Sequence, residues 1–312
     1  MSVAFLFPGQ GSQQVGMGRE LQQAFPESRA VFEEADQALS LPLSRLCFSG
    51  PEEELLLTAN TQPALLATSV AAWRALAARG LRPSWVAGHS LGEYSALVAA
   101  GVLSLADAVV AVRRRGQYMQ EAVPVGVGAM AAVLGLELGA IEQACREAAE
   151  AEVVSPANIN SPGQVVIAGH AAAVARAVER CKTLGAKRAV PLAVSAPFHC
   201  ALMRPAEQRL AADLGRLSFA DPQVPVVNNV DAEAVRTGEQ CRQALVRQVS
   251  APVRWQQCVE KLAGEGVTTF VEVGPGTVLS GLVRKTIRSA RVLSVGSPAS
   301  LEAAVADLGS GA

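Results

Sequence analysis

Ser90 stands in Gly88-His89-Ser90-Leu91-Gly92, a G-x-S-x-G run between the apolar Trp85-Val86-Ala87 and a helix-like stretch. A serine on such a strand-to-helix turn is lifted clear of the sheet edge with its Oγ exposed. The helix N-terminus behind it favours developing negative charge. The flanking glycines admit close backbone approach. This context points to a nucleophilic serine over a plain glycine-rich turn.

A serine nucleophile needs a base, and the chain has three histidines: His89, His170 and His199. His89 adjoins the serine, but a neighbour on an elbow usually points another way. His170 begins a helix and reads as exposed. His199 lies in Ser195-Ala196-Pro197-Phe198-His199-Cys200, a hinge loop that can reach a cleft. It is either the base or a structural histidine satisfied by backbone groups. Hydrolases on this plan place an acid between serine and histidine in chain order. No acidic residue stands in an obvious loop between Ser90 and His199, so a backbone or amide oxygen is the candidate for fixing the imidazole tautomer.

Arg113-Arg114-Arg115 precedes Gly116 in an amphipathic helix. Successive helix positions differ by about 100°, so the three cannot share one face. The sequence alone favours three solvated arginines. An inward one would need an anion, and a carboxylate held bidentately is its natural partner.

The elements that must carry these residues alternate strand and helix. Strands are expected over 5–7 and 85–87, and helices over 63–79, 91–100 (closed by Gly101) and 105–119 (opened by Ser104). The order is α/β with a mainly parallel sheet. The middle reads β-α-β-β-α-β over 128–136, 138–149, 153–160, 164–168, 171–184 and 187–193, a ferredoxin-like unit. Strands resume at 224–228 and 268–273, and the last dozen residues look weakly structured. The expected division is a large domain of 1–125 with 196–312 and an inserted subdomain of 126–195. Sites in open α/β sheets lie at the carboxyl ends of strands. Four loops should therefore meet there: Pro8 to Ser12, Gly88 to Gly92, Ser195 to Cys200 and Gly274 to Gly276.

Composition narrows the function. Half of the 312 residues are hydrophobic, enough for a large core, and the net charge of -1 offers nothing to nucleic acid. Aromatics at 4% are too few for base-stacking platforms. The uncharged stretch 122–136 contains Pro124, Gly126 and Gly128, so no transmembrane helix is expected. The N-terminus lacks a basic region and reads as a first buried strand. Six scattered cysteines without a CxxC pair fit a reducing compartment, and no HExxH or Cys/His cluster implies a metal. A cytoplasmic monomer is expected, with no nucleic acid or membrane partner and no bound cofactor.

Taken together, the motifs resemble the malonyl-CoA:acyl carrier protein transacylase family of bacterial fatty acid synthesis. The resemblance rests on Phe7-Pro8-Gly9-Gln10-Gly11-Ser12-Gln13, Thr61-Gln62-Pro63-Ala64, Gly88-His89-Ser90-Leu91-Gly92-Glu93-Tyr94-Ser95, Arg115-Gly116, 158–164, Phe198-His199, Gln248 and Glu272-Val273-Gly274-Pro275-Gly276, in the family's order over nearly the whole chain. It implies an α/β-hydrolase-like large domain with a mainly parallel sheet and an inserted ferredoxin-like small subdomain. It implies Ser90 as nucleophile, His199 as base and acid, and the Gln248 backbone carbonyl as the partner of His199. It assigns the oxyanion hole to the Gln10 and Leu91 N–H groups. Arg115, Phe198, His89 and Asn160 become substrate-binding residues, Arg115 clamping the malonyl carboxylate. The implied donor is malonyl-CoA, and the acceptor is the phosphopantetheine thiol of holo-acyl carrier protein. In related acyltransferase domains a large aromatic before this histidine accompanies malonyl selectivity, the place Phe198 holds; it could also simply pack the hinge. Lys182, Lys187, Arg188, Arg284, Lys285 and Arg288 are candidates to meet an acidic carrier, or are solvated surface. The other readings are a serine esterase or thioesterase, a malonyl-transferring subunit of a malonate decarboxylase, a polyketide acyltransferase, and a non-catalytic docking subunit.

Overall fold

The computed structural model describes residues 2–194 and 196–309; Ser195 of the expected histidine loop and 310–312 lie outside them. The strands in chain order are β1 (Val3–Phe7), β2 (Trp85–Gly88), β3 (Gly128–Leu134), β4 (Val154–Ser161), β5 (Gln164–His170) and β6 (Arg188–Pro191), then β7 (Val226–Val227), β8 (Ala234–Val235), β9 (Thr269–Val273) and β10 (Arg291–Val295). Six form one sheet in the order β10-β9-β1-β2-β7-β8, parallel except for β8. β1 is apolar at every position because both faces of the sheet are covered. Its Phe5 and Phe7 join the core on one face, and Ala4 and Leu6 join the core on the other.

The remaining four strands form an antiparallel sheet ordered β4-β5-β3-β6, with the helices Leu138–Ala149 and Ala171–Thr183 between its strands in sequence. This is the ferredoxin-like order expected from β-α-β-β-α-β. The pleat of β3 and β5 decides which side faces what. Ala131, Val133, Val165 and Ile167 pack on the two helices, while Met130, Val166 and Ala168 turn to the main core. The edge of β4 is tied to the larger unit by backbone bonds from Val253 N–H to Ala157 O and from Ile159 N–H to Val253 O, each 2.9 Å.

Three local expectations change. The helix expected over 63–79 runs Thr58–Ala78, with Pro63 inside it. A proline this early removes only the donor to one first-turn carbonyl. The weakly structured tail is, over the described residues, a helix Pro298–Gly309 that buries Leu301 and Ala304. It follows β10, an edge strand the sequence reading missed; β10 has only one residue fully inside the core, so its apolar signal is weak. His170 is half-buried rather than exposed, because it ends β5 and its Nδ1 accepts from the Val153 amide. No described helix is long and apolar enough to cross a membrane.

Candidate active site

Parallel pairing of β1, β2 and β9 brings their carboxyl ends to one edge, with Phe7 opposite Gly88 and Leu6 opposite Glu272. The chain leaves β2 as the elbow. Ser90 has φ of 54°, a left-handed conformation that a serine adopts only where its surroundings enforce it. Gly92 explains why the turn is so tight. A Cβ there would lie 2.1 Å from the Phe7 carbonyl oxygen. The Gly274-Pro275-Gly276 turn packs against Pro8 and Ser12 and does not itself line the cleft; the helix after it, Val278–Thr286, supplies Leu279 and Leu282 to the wall.

His199 meets Ser90 from the other side. Its Nε2 accepts from Ser90 Oγ at 2.7 Å, and its Nδ1–H donates to the Gln248 backbone carbonyl at 2.9 Å. The second bond fixes the tautomer that leaves Nε2 as the acceptor. No described carboxylate hydrogen-bonds His199, so the acid–histidine arrangement of an esterase is not formed. Burial, reinforced by the Arg115 charge, pushes the imidazole down to about 3. The ring is therefore neutral near pH 7, with Nε2 able to accept a proton.

The arginine run divides as its helical phases require. Arg114 is an exposed partner of Asp213, and Arg113 reaches Asn60. Arg115 is 1% exposed, which overturns the expectation of three solvated arginines. It turns inward because its helix, Leu105–Glu121, packs on Thr58–Ala78 with Gly116 at the crossing. Its Nη1 donates to Gln62 Oε1 at 2.7 Å, and its Nη2 to Gln248 Oε1 at 3.0 Å and Ser90 Oγ at 3.1 Å. No described carboxylate forms an ion pair with it.

Behind the elbow lies a polar network that sequence reasoning missed. Glu93 is buried, and its Oε2 accepts from the Asn229 amide at 2.9 Å and Gln248 Nε2 at 2.8 Å. The Asn229 side chain accepts from Ser90 N–H at 2.7 Å and donates to the Gly88 carbonyl at 2.8 Å. Gln248 Nε2 also reaches the Ser90 carbonyl at 3.0 Å. Two signals were available: Glu93 is the sole charged residue of the apolar helix Gly92–Ala99, and Asn229 sits just past the carboxyl end of β7.

These groups open onto a cavity of about 500 Å³ between the two sheets, lined by Gln10, Arg115, Met130, Val166, Phe198 and His199 among others. His89 Nε2 bonds Asn160 Oδ1 at 2.9 Å, so these two pair with each other across the sheets. Burial lowers the His89 pKa, which favours the neutral ring. Among the described residues, neither the Leu91 nor the Gln10 amide donates to a protein acceptor, and both residues line the cavity. The described residues contain no cluster of three or more His, Cys, Asp or Glu side chains able to hold a metal, and the six cysteines are buried free thiols. Of the surface cations, Lys182 pairs with Glu179, while Lys285 bonds Gln164 at the cleft wall.

The comparisons agree with this arrangement. The model of the acyl transferase domain matches residues 4–306. The malonyl CoA-acyl carrier protein transacylase of Escherichia coli K12 is 53% identical over 303 residues, covering 97% of this chain and 98% of that protein. An acyl carrier protein S-malonyltransferase from Vibrio cholerae superposes with a TM-score of 0.96 at 51% identity, covering 97% of this chain and 100% of that one. A malonyl-transacylase solved in complex with its type II PKS acyl-carrier protein superposes equally, at 0.96 and 51% identity, covering 98% of this chain and 100% of that one. A nucleophile elbow, a backbone-oriented histidine and a buried arginine at one cavity, with this likeness along nearly the whole length, lead to one assignment: the chain belongs to the acyl transferase domain family, among its malonyl CoA-acyl carrier protein transacylases.

Proposed function

We propose that this chain transfers the malonyl group from malonyl-CoA to the phosphopantetheine thiol of holo-acyl carrier protein, through a malonyl-serine ester, and so supplies malonyl units for fatty acid synthesis. The observation that carries the reading is the unpaired buried cation beside the nucleophile. Arg115 Nη2 lies 3.1 Å from Ser90 Oγ with no carboxylate of the described residues in direct contact with it; Glu93 stands one Gln248 amide away. A carboxylated acyl group bound at Ser90 would supply the missing anion.

In the first half-reaction Ser90 Oγ attacks the thioester carbon and His199 Nε2 takes its proton. The Gln10 and Leu91 N–H groups, free of protein acceptors, stabilise the oxyanion by a few kcal/mol. The C–S bond breaks, and the proton passes from His199 to the departing CoA sulfur. In the second half-reaction His199 takes the proton of the carrier thiol. The thiolate attacks the ester, the C–O bond breaks, and Ser90 recovers its proton. The Gln248 carbonyl holds His199 in one tautomer throughout. Burial keeps His199 low throughout, but malonyl neutralisation of Arg115 lifts the second cause of its suppression, so the base strengthens somewhat as the correct substrate arrives.

Phe198 borders the acyl space, and His89 with Asn160 forms the wall that the thioester passes. The unit 126–195 acts as the subdomain that closes the cleft over the large domain of 1–125 and 196–312. The enzyme works as a cytoplasmic monomer without a bound cofactor.

Intact mass spectrometry after mixing with malonyl-CoA tests the reading. It requires a malonyl adduct that is absent in Ser90→Ala and discharged by holo-carrier. A wild-type protein that hydrolyses malonyl-CoA but cannot pass the acyl group to the carrier would refute it.

A further inference from the structure

Glu93 has no part in the chemistry above, yet it anchors both clamps on the elbow. One runs from Glu93 Oε2 through the Asn229 amide to the Asn229 side chain, which holds Ser90 N–H and the Gly88 carbonyl. The other runs through Gln248 Nε2 to the Gln248 carbonyl oxygen Oε1, which receives Arg115 Nη2. Gln248 is fully buried, and no water competes for its ends. With its NH2 on Glu93 and its oxygen on Arg115, the amide dipole lies along the line from anion to cation. Reversed, it would set donors against the guanidinium and an acceptor against the carboxylate. A carboxylate acceptor bonds about twice as strongly as a neutral one and makes the reversed arrangement costlier. The position is expensive for a carboxyl group, since burial pushes Glu93 up to about 7.

We propose that Glu93 is a specificity-determining positioning residue: it fixes the Gln248 amide, and through it holds Arg115 where a malonyl carboxylate can be received. It touches neither substrate nor the reacting atoms. The inference rests on the malonyl reading, because Arg115 discriminates between donors only where one acyl group carries an anion and the other does not. An acyl group without a carboxylate needs the Ser90–His199 pair and gains from the relay only the orientation of the Ser90 hydroxyl.

The test compares malonyl-CoA with acetyl-CoA as donors at pH 8, where Glu93 is ionised, reading serine acylation for each. Glu93→Gln keeps the shape and removes the charge. It is expected to lower the malonyl-over-acetyl preference about fivefold, through a raised KM for malonyl-CoA, with acetyl transfer falling less because the amide oxygen of the variant still accepts from the Asn229 amide that holds the elbow. Glu93→Leu removes the acceptor and moves the preference towards that of Arg115→Ala. In an Arg115→Ala background Glu93→Gln adds no further loss, because the two act in one chain. Parallel loss with both donors, or effects that multiply in the double variant, would overturn the proposal. Should Glu93→Leu not fold, Glu93→Gln decides alone. A wild-type enzyme that prefers acetyl-CoA would instead sink the malonyl reading, so the two failures are separable.

Discussion

Arg115 Nη2 and Ser90 Oγ are 3.1 Å apart, and the same serine oxygen lies 2.7 Å from His199 Nε2. Guanidinium, hydroxyl and imidazole thus form one hydrogen-bonded line, with the serine hydroxyl accepting from the arginine and donating to the histidine. The arginine thereby turns the hydroxyl proton towards the imidazole, as the proposed attack requires. Its charge also helps hold the His199 pKa down.

Arg115→Ala removes the donor to Ser90 and, in the proposed function, the partner of the malonyl carboxylate. The expected outcome is a fall in kcat/KM for malonyl-CoA of about 100-fold or more, the scale of losing a buried ion pair. Acetyl-CoA use should fall far less. Steady-state kinetics with both donors reads this directly, and equal losses would assign Arg115 to general catalysis rather than selection. The variant also tests whether the clamp excludes water, because the ratio of carrier transfer to hydrolysis should drop.

The pH profile follows from the direction of the His199 shift. Burial and the Arg115 charge hold this imidazole down at about 3, so above that it is neutral and competent as a base. Acylation kcat/KM should therefore show no acid limb at the ordinary histidine pKa of about 6.5. Glu93 is shifted the opposite way, up to about 7, by burial, with the Asn229 amide, Gln248 and Arg115 opposing and Asp231 adding to the rise. An acid limb near 7 would then belong to Glu93 and vanish in Glu93→Gln. A limb near 6.5 that survives in that variant would show that His199 titrates normally.

The elbow was legible because its geometry restricts residue type: a serine at positive φ between glycines leaves a mark in sequence. The parallel sheet was legible for a similar reason, since β1 and β2 are covered on both faces and read as unbroken apolar runs, and the antiparallel sheet was legible from its β-α-β-β-α-β order. Arg115 was not legible from helical periodicity. Three successive arginines fan out over most of the helix circumference, and which one turns inward depends on how closely a second helix approaches. That approach is a tertiary fact, and only the family resemblance selected Arg115 beforehand. Glu93, Asn229 and the Gln248 side chain were hidden for another reason: they satisfy one another from three distant segments. No spacing within a single segment reports such a network.

Phe198 is 9% exposed and stands immediately before His199 at the cavity wall, with Met130 and Val166 among the other lining residues. An α-methyl group on the acyl chain would have to share the space that the ring fills. Phe198→Ser should raise methylmalonyl-CoA use relative to malonyl-CoA, and a gain of about tenfold in the ratio corresponds to space for one methyl group. Competition between the two donors, read by mass of the acyl-enzyme, measures it. An unchanged ratio would leave Phe198 as packing for the His199 loop, whose own φ of 60° needs rigid support.

Gly116 offers a test of how Arg115 is aimed. A Cβ at this position would lie 2.7 Å from the Thr58 carbonyl oxygen and 2.8 Å from the Ala59 Cα. Both are backbone atoms, so no side chain can swing away and the helices Thr58–Ala78 and Leu105–Glu121 must separate. Arg115 is the preceding residue, and Gln62, which receives its Nη1 at 2.7 Å, is on the opposite helix. Separation therefore pulls on the bond that sets the guanidinium plane. Gly116→Ala should lower stability by about 1–3 kcal/mol, the usual range for overpacking, despite the better helix propensity of alanine. It should also raise KM for malonyl-CoA several-fold while leaving acetyl-CoA kinetics near wild type. Urea unfolding and donor kinetics on the same preparation separate the two effects. Lost stability with an unchanged malonyl KM would mean that Arg115 is aimed by the cavity alone, and that the helix crossing contributes packing but no selectivity.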